Sequence, residues 1–201
     1  MTTQPKETNE PSIMLEYLGS IAVIRLNQPH NRNALSRTVL EDLDTTVSRL
    51  SLGNEISALI LTGVGNIFAS GANINELADL NEETARGFAD LGQAVFARIA
   101  STRQKTIAAI NGYCAGGGLD LALACNLRCA SANAVFAHPG GKLGIITGWG
   151  GTQRLPRLIG TAHALEMFTT ARRLTSYEAL EIGLIDGIGD PVLLCARELA
   201  G

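Results

Sequence analysis

The sequence has little of what several classes of protein require. Only 4% of its 201 residues are aromatic, and 16 Lys and Arg against 19 Asp and Glu give a formal net charge of -3. No run of basic residues supplies a footprint for nucleic acid, and few aromatic side chains are present for base stacking. Nucleic acid is therefore not an expected partner.

Membrane and export signals are missing as well. No apolar stretch is as long as a membrane span, which takes about 18 residues or more, and the polar residues 1–11 resemble no secretory or transit peptide. The cysteines stand in apolar surroundings without CxxC spacing, as reduced core residues do. They are Cys114, Cys125, Cys129 and Cys195. We expect a cytoplasmic protein that binds no membrane.

Common catalytic and nucleotide-binding motifs are also absent. The sequence contains no complete GxGxxG fingerprint, no Gly-Lys-Ser/Thr of a P-loop and no GxSxG elbow. Its three histidines, His30, His138 and His163, have no metal-ligand spacing. These absences disfavour a dinucleotide site, a phosphate loop, a hydrolase triad and a metal site. No metal and no redox cofactor is expected.

The most informative feature that is present is a glycine turn at Gly116–Gly118. An apolar strand pattern precedes it at Thr106–Ile110, and a segment that is apolar on every face follows it. Glycine lets a ligand approach the backbone, and the first N–H groups of a helix favour negative charge. The loop Phe68–Ile74 is similar, so amides from both loops could polarise one carbonyl oxygen. The alternative is that the glycines only permit tight packing.

Strand and helix patterns alternate along the chain, which predicts an α/β domain. Ser36 is suited to cap a helix, and Thr175 and Glu178 form a capping box. The apolar positions of the first helix recur at helical spacing and are Val39, Leu40, Leu43, Val47 and Leu50. We expect residues 1–11 to be a disordered tail, residues 12–190 to form the core domain, and residues 191–201 to begin a truncated C-terminal helical region.

Asp120 is an acid within the apolar segment that follows the glycine turn. Charged groups are rarely buried unless they are paired or used. Asp120 is therefore either a general acid/base beside the amides or an acid stabilised by the helix N-terminus. The long glycine-rich segment Ala137–Arg154 ends at another helix, and such loops usually line a site.

The chain resembles the enoyl-CoA hydratase/isomerase (crotonase) superfamily from about Leu15 to Asp190. Five motifs carry the resemblance, in the same order: Asn31–Leu35, Phe68–Ile74, Asn111–Gly118, Gly150–Leu155, and Leu174–Ala179 with Gly183–Ile185. The resemblance implies a spiral of ββα units. It also implies that the thioester oxygen of a bound acyl-CoA accepts hydrogen bonds from the amides of Ala72 and Gly117. Coenzyme A would then be part of the substrate and not a cofactor.

By the same resemblance, the loop around Ala34 and the segment from Ala72 to Leu77 lie near the adenine and pantetheine of CoA. The candidate substrate-binding residues are Asn33, Ala34, Ala69, Ser70, Asn73, Ile74, Tyr113, Gly116, His138 and Gly148. The candidate catalytic positions are Asp120, Ala72, Gly117 and Gly140.

The departures from the family bear on chemistry. Hydratases of the family carry two glutamates, at whose positions this chain has Asp120 and Gly140. Asp120 is thus the remaining acid/base candidate, and Gly140 is expected to leave room for a side chain or a water molecule. His138 could reach the vacated space or be an ordinary loop histidine. One synthase branch of the family also has Gly and Lys at the positions of Gly140 and Lys142. That branch carries an Asp in the same loop, at the position where this chain has Thr147.

We therefore expect an acyl-CoA thioester-binding lyase of the hydratase/isomerase family that stabilises a thioester enolate. Efficient hydration is not expected, because one carboxylate is missing. The alternatives are a decarboxylase, a thioester hydrolase, or a catalytically impaired acyl-CoA-binding protein. The family's assembly further implies a homo-trimer or a hexamer.

Overall fold

A computed structural model describes residues 11–201; residues 1–10, which make up most of the predicted tail, lie outside the described residues. The strands are β1 (Ile13–Leu18), β2 (Ile21–Leu26), β3 (Ala58–Gly63), β4 (Ile67–Ala69), β5 (Lys105–Ile110), β6 (Tyr113–Ala115), β7 (Leu127–Ala130), β8 (Val135–Ala137), β9 (Leu174–Thr175) and β10 (Gly187–Ile188). The helices are α1 (Arg37–Leu52), α2 (Ile74–Ala78), α3 (Glu82–Ser101), α4 (Gly117–Ala124), α5 (Gly151–Ile159), α6 (Thr161–Thr170), α7 (Ser176–Glu181) and α8 (Val192–Ala200).

The strands form two sheets. The larger has the order β1-β2-β3-β5-β7-β10, and the smaller has the order β4-β6-β8-β9. The larger sheet is parallel except for the hairpin of β1 with β2. In the smaller sheet β4, β6 and β8 are parallel, and β9 runs antiparallel to β8.

The same unit is repeated three times. In each repeat a strand of the larger sheet is followed by a short strand of the smaller sheet and then by helix: β3-β4-α2, β5-β6-α4 and β7-β8-α5. Every unit therefore turns the chain from one sheet to the other and back through a helix. This is the predicted spiral of ββα units in an α/β domain, and that prediction is confirmed.

The central strand β3 of the larger sheet is buried on both faces, and its successive side chains point to opposite sides. In β3, Leu59 and Leu61 join the main core beneath the helices, whereas Ala58 and Ile60 face a second cluster. That second cluster includes Val192 and Ala196 of α8, so α8 covers the other face of the sheet. None of the helices within residues 11–201 is long and apolar enough to cross a membrane.

Helix α1 forms as its sequence pattern predicts. Ser36 is its N-cap and accepts a hydrogen bond from the Val39 amide at 3.2 Å. The five apolar positions named above are its buried residues. The capping box of Thr175 and Glu178 is also present at the start of α7.

Trp149, which is 4% exposed, fills a space made by two glycines. A Cβ on Gly92 of α3 would overlap its Nε1, and a Cβ on Gly117 of α4 would overlap its six-membered ring. The indole packs edge-on against Phe88 and Phe96, with centroids 5.2 and 5.6 Å apart. It thereby ties α3 to the first residue of α4.

Gly92→Ala should lower the free energy of unfolding by about 1–3 kcal/mol, because its methyl group would displace Trp149. Gly87 is the matched control, since it lies on the same helix and a Cβ there would contact nothing within 4 Å. Gly87→Ala should raise the free energy of unfolding by about 0.5–1 kcal/mol through helix propensity. Urea denaturation measures both variants, and equal changes in them would contradict this account of Trp149.

Candidate active site

Two strand-to-helix junctions lie side by side at one edge of the smaller sheet. Strands β4 and β6 are parallel neighbours, so the chain leaves both at the same edge. The first junction passes through Gly71 at φ +106° and the second through Gly116 at φ +52°. Residues with a side chain rarely adopt a φ of +106°, or a φ of +52° combined with the ψ of −126° found at Gly116, so both positions favour glycine. The two small-residue loops singled out in the sequence therefore meet.

At this meeting point lie two backbone N–H groups, those of Ala72 and Gly117. Leu35 donates to the Gly71 carbonyl at 2.8 Å and accepts from the Asn73 amide at 3.3 Å. The intervening Ala72 N–H consequently points away from Leu35, because amides alternate in direction along an extended chain. Gly117 is the first residue of α4, where an N–H has no partner inside the helix.

Neither N–H donates to an acceptor among residues 11–201. The two groups are close: a Cβ on Gly117 would lie 3.4 Å from the Ala72 nitrogen, and one on Gly71 would lie 3.2 Å from the Gly117 nitrogen. Both residues are partly exposed. Two adjacent N–H groups of this kind can donate to a single oxygen atom, and the N-terminus of α4 adds its positive dipole end.

Asp120 is fully buried in the first turn of α4 and belongs to a polar cluster. Its Oδ1 lies 3.1 Å from Nε2 of His138, which is 2% exposed. Its Oδ2 accepts a hydrogen bond from the Thr147 hydroxyl. Burial and, next, the charge of Asp120 raise the pKa of the neighbouring Cys114 thiol well above its usual value. Asp120 is thus a buried carboxylate with partners on both oxygens.

Gly140 does not offer the room expected from the sequence. A Cβ at this position would lie 2.6 Å from the Ile145 carbonyl oxygen, which is backbone. The loop closes here because the Ile145 amide donates to the Gly140 carbonyl at 3.0 Å. The expectation of space for a side chain at Gly140 is therefore wrong, since the turn itself occupies that space.

Asn33 holds a loop rather than facing a ligand. Its buried side chain accepts from the Gln28 amide at 3.0 Å and donates to the carbonyls of Val64 and Ile67 at 3.2 and 2.7 Å. Because all three bonds are internal, the side chain is not free to bind a substrate. Asn33 itself has φ +51°, a conformation that asparagine tolerates better than most residues.

The other residues expected near CoA form one region beside the first junction. Ser70 donates its amide to the Arg32 carbonyl at 3.2 Å, and the Arg32 guanidinium lies 5.1 Å from the centre of the Tyr113 ring. Ala34 is partly exposed in the same loop.

Three more of the expected residues flank the first junction. Ala69 precedes Gly71, and Asn73 and Ile74 follow it. Ala69 is fully buried against Gly118, so its side chain is not available to a ligand. Asn73 caps α2 by accepting from the amides of Asn75 and Glu76, whereas the Ile74 side chain is 66% exposed. Of these three residues, Ile74 alone presents a free side chain.

A cavity of about 580 Å³ adjoins the Asp120 cluster. Thr147, Gly148 and Trp149 form one wall, and Gln93 of α3 donates to the Gly148 carbonyl at 2.7 Å. Thr147 and Trp149 were not named individually as site residues, although both belong to the segment Ala137–Arg154 that was expected to line a site. The available signal was that Trp149 is the only tryptophan of the chain and stands within a glycine-rich segment.

The repeated ββα unit and the paired junctions define a protein of the crotonase superfamily. The chain belongs to the enoyl-CoA hydratase/isomerase family, whose model matches residues 16–195. It is 39% identical over 192 residues to the short-chain-enoyl-CoA hydratase of Clostridium acetobutylicum, a match that covers 94% of this chain and 74% of the relative.

A second relative and a solved structure are consistent with this family membership. The crotonyl-CoA hydratase of Syntrophomonas wolfei is 39% identical over 193 residues, with 94% of this chain and 74% of the relative covered. The crystal structure of an enoyl-CoA hydratase from Bacillus anthracis is similar with a TM-score of 0.91 at 36% identity, covering 94% of this chain and 75% of that chain.

The crowding at Gly140 can be tested by comparison with Gly148 of the same segment. A Cβ on Gly148 would contact nothing closer than Ala89 at 3.9 Å. Gly140→Ala should lower the free energy of unfolding by about 1–3 kcal/mol, as other overpacked sites do, whereas Gly148→Ala should change it by less than about 0.5 kcal/mol. Thermal and urea unfolding measure both, and a Gly140→Ala variant as stable as the parent would mean that the turn can yield.

Proposed function

We propose that the protein binds acyl-CoA thioesters and stabilises the enolate form of the thioester in an oxyanion hole. The observation that carries the proposal is the adjacent pair of unbonded N–H groups at Ala72 and Gly117. Fixed N–H donors bind an oxygen that gains negative charge more strongly than they bind a neutral carbonyl oxygen. Because this binding is stronger in the transition state than in the bound substrate, it accelerates the reaction. Because the relatives include a short-chain-enoyl-CoA hydratase and a crotonyl-CoA hydratase, short-chain CoA thioesters are the first compounds to test.

Asp120 is the acid/base group of this proposal. It follows Gly117 by three positions in the first turn of the same helix, so it lies next to the proposed hole. Protonation and deprotonation at the carbon beside the thioester need one such group. A single acid/base group contributes about 10²- to 10⁴-fold to a rate.

The site does not favour hydration by two carboxylates, because Gly140 has neither a side chain nor space for one. Decarboxylation is the second candidate. In that reaction the electrons of the breaking C–C bond form the enolate, so the hole is used and a second carboxylate is not needed. The missing glutamate is the observation that favours this candidate over hydration.

Enolate formation can be measured independently of the later chemistry. With butyryl-CoA in D₂O, the protein should catalyse exchange of the α-protons, which proton NMR follows directly. Replacing the Ala72 amide N–H by an ester oxygen removes one donor without adding bulk. Exchange should then slow by about 10²- to 10³-fold, the usual loss for one oxyanion-hole donor.

An ester at Asn133 is the control, because this exposed loop residue makes no backbone hydrogen bond through its N–H within residues 11–201. It should leave exchange unchanged. Crotonyl-CoA and malonyl-CoA, added separately, report hydration and release of CO₂. Binding of butyryl-CoA without exchange or turnover of any of the three compounds would favour the acyl-CoA-binding alternative over an enzyme.

Asp120→Asn keeps the shape of the side chain and removes the acid. Exchange should fall by about 10²-fold or more, while the affinity for butyryl-CoA, measured by calorimetry, should stay within a few-fold. An unchanged exchange rate would leave Asp120 with a structural role only.

A further inference from the structure

We propose that the Thr147 hydroxyl contacts the α-proton of the acyl-CoA substrate, and that Asp120 exchanges protons with the substrate through it. This inference rests on the proposed enolate function and assigns the proton-transfer path within it. Three observations carry it: the complete enclosure of Asp120, the hydrogen bond from Thr147, and the position of Thr147 on the wall of the cavity.

The Asp120 carboxylate cannot contact a substrate directly in this structure. Its side chain is 0% exposed, and its two oxygens are bonded to His138 and Thr147. On a further side the backbone of Gly151 is so close that a Cβ there would overlap Oδ1. The carboxylate is therefore enclosed by protein, and a proton can reach or leave it only through a bonded partner.

Of the two partners, Thr147 is the one that a ligand can reach. His138 is 2% exposed, and its ring lies 4.8 Å from the ring of Phe168. Thr147 is partly exposed and lines the cavity of about 580 Å³, a volume within the usual range for small-molecule sites. Thr147 is thus the member of the bonded cluster that lines the cavity.

Trp149 connects the cavity to the proposed oxyanion hole, although the two hole residues themselves do not line the cavity. Trp149 follows Thr147 by two residues, lines the same cavity, and lies against Gly117, whose amide is one of the two donors. In the proposed relay, a thioester with its oxygen at the Gly117 amide has its α-carbon on the side of Thr147.

The proton transfer balances as a relay. The Thr147 oxygen takes the α-proton while its own hydroxyl hydrogen passes to Oδ2 of Asp120. The electron pair of the broken C–H bond becomes the carbon–carbon double bond of the enolate, and the negative charge moves to the thioester oxygen. Asp120 ends as a neutral acid, Thr147 ends unchanged, and the reverse path returns the proton to carbon.

His138 is the positioning residue in this scheme. A carboxylate that is ionised only accepts hydrogen bonds, so Nε2 of His138 donates to Oδ1. That bond leaves Oδ2 for Thr147 and fixes the plane of the carboxylate. It also compensates in part for burial of the charge.

The test measures α-proton exchange of butyryl-CoA in D₂O for Thr147→Val, Thr147→Ser, Asp120→Asn and the double variant Thr147→Val/Asp120→Asn. Thr147→Val should lose about 10²-fold or more, with affinity for butyryl-CoA within a few-fold, whereas Thr147→Ser should retain most of the rate. Because both groups act in one relay, the double variant should be about as slow as the slower single variant. Thr45→Val, on the exposed side of α1, is the matched control and should be unchanged.

The outcomes separate the relay from the proposed function. If the parent protein exchanges no α-protons and turns over none of the three CoA esters, the enolate function itself is wrong and the relay falls with it. Full exchange by Thr147→Val, with loss in Asp120→Asn, would overturn the relay alone and give Asp120 a direct role. Additive losses in the double variant would overturn it as well. Should Thr147→Val fail to fold, Thr147→Ala, which has no group that can carry a proton, replaces it with the same expected loss.

Discussion

The close approach of one backbone to another, made possible by missing side chains, is the constraint on which the arrangement of the site depends. A Cβ on Gly118 would lie 2.7 Å from the Ala69 Cβ and would overlap its carbonyl oxygen. Helix α4 can therefore begin directly against β4 of the neighbouring repeat. Any larger residue at Gly118 would move the N-terminus of α4 away from Ala72 and separate the two N–H groups.

The buried polar cluster imposes a second constraint. An ionised carboxylate without partners would be costly in a fully buried position. His138 and Thr147 supply those partners from two different parts of the segment that follows β8, so this segment is fixed to α4 at both places. The same hydrogen bonds that stabilise Asp120 in the core also separate its carboxylate from the cavity. In the proposed relay, the hydroxyl of Thr147 is the intermediary between this buried acid and the cavity.

The sequence is most informative where one local rule decides the structure. The spacing of the apolar residues in α1, the Ser36 cap and the box of Thr175 and Glu178 all depend on residues within one or two helical turns, and all are present. The positions of the glycine turns could be predicted for the same reason. Their joint location at one sheet edge follows from the pairing of β4 with β6, which are only three residues long and leave no periodic pattern.

Contacts between distant segments could not be predicted. The spacing of Asp120, His138 and Thr147 in the sequence does not reveal that they bond, and the crowding at Gly140 depends on a turn closed by Ile145. Trp149 belongs to the same class of feature, because Gly92 and Gly117 come from different helices. As the only indole of the chain, and one that touches a donor of the proposed hole, Trp149 places an intrinsic fluorophore at the site. Changes in its emission would report on occupancy there without an added label.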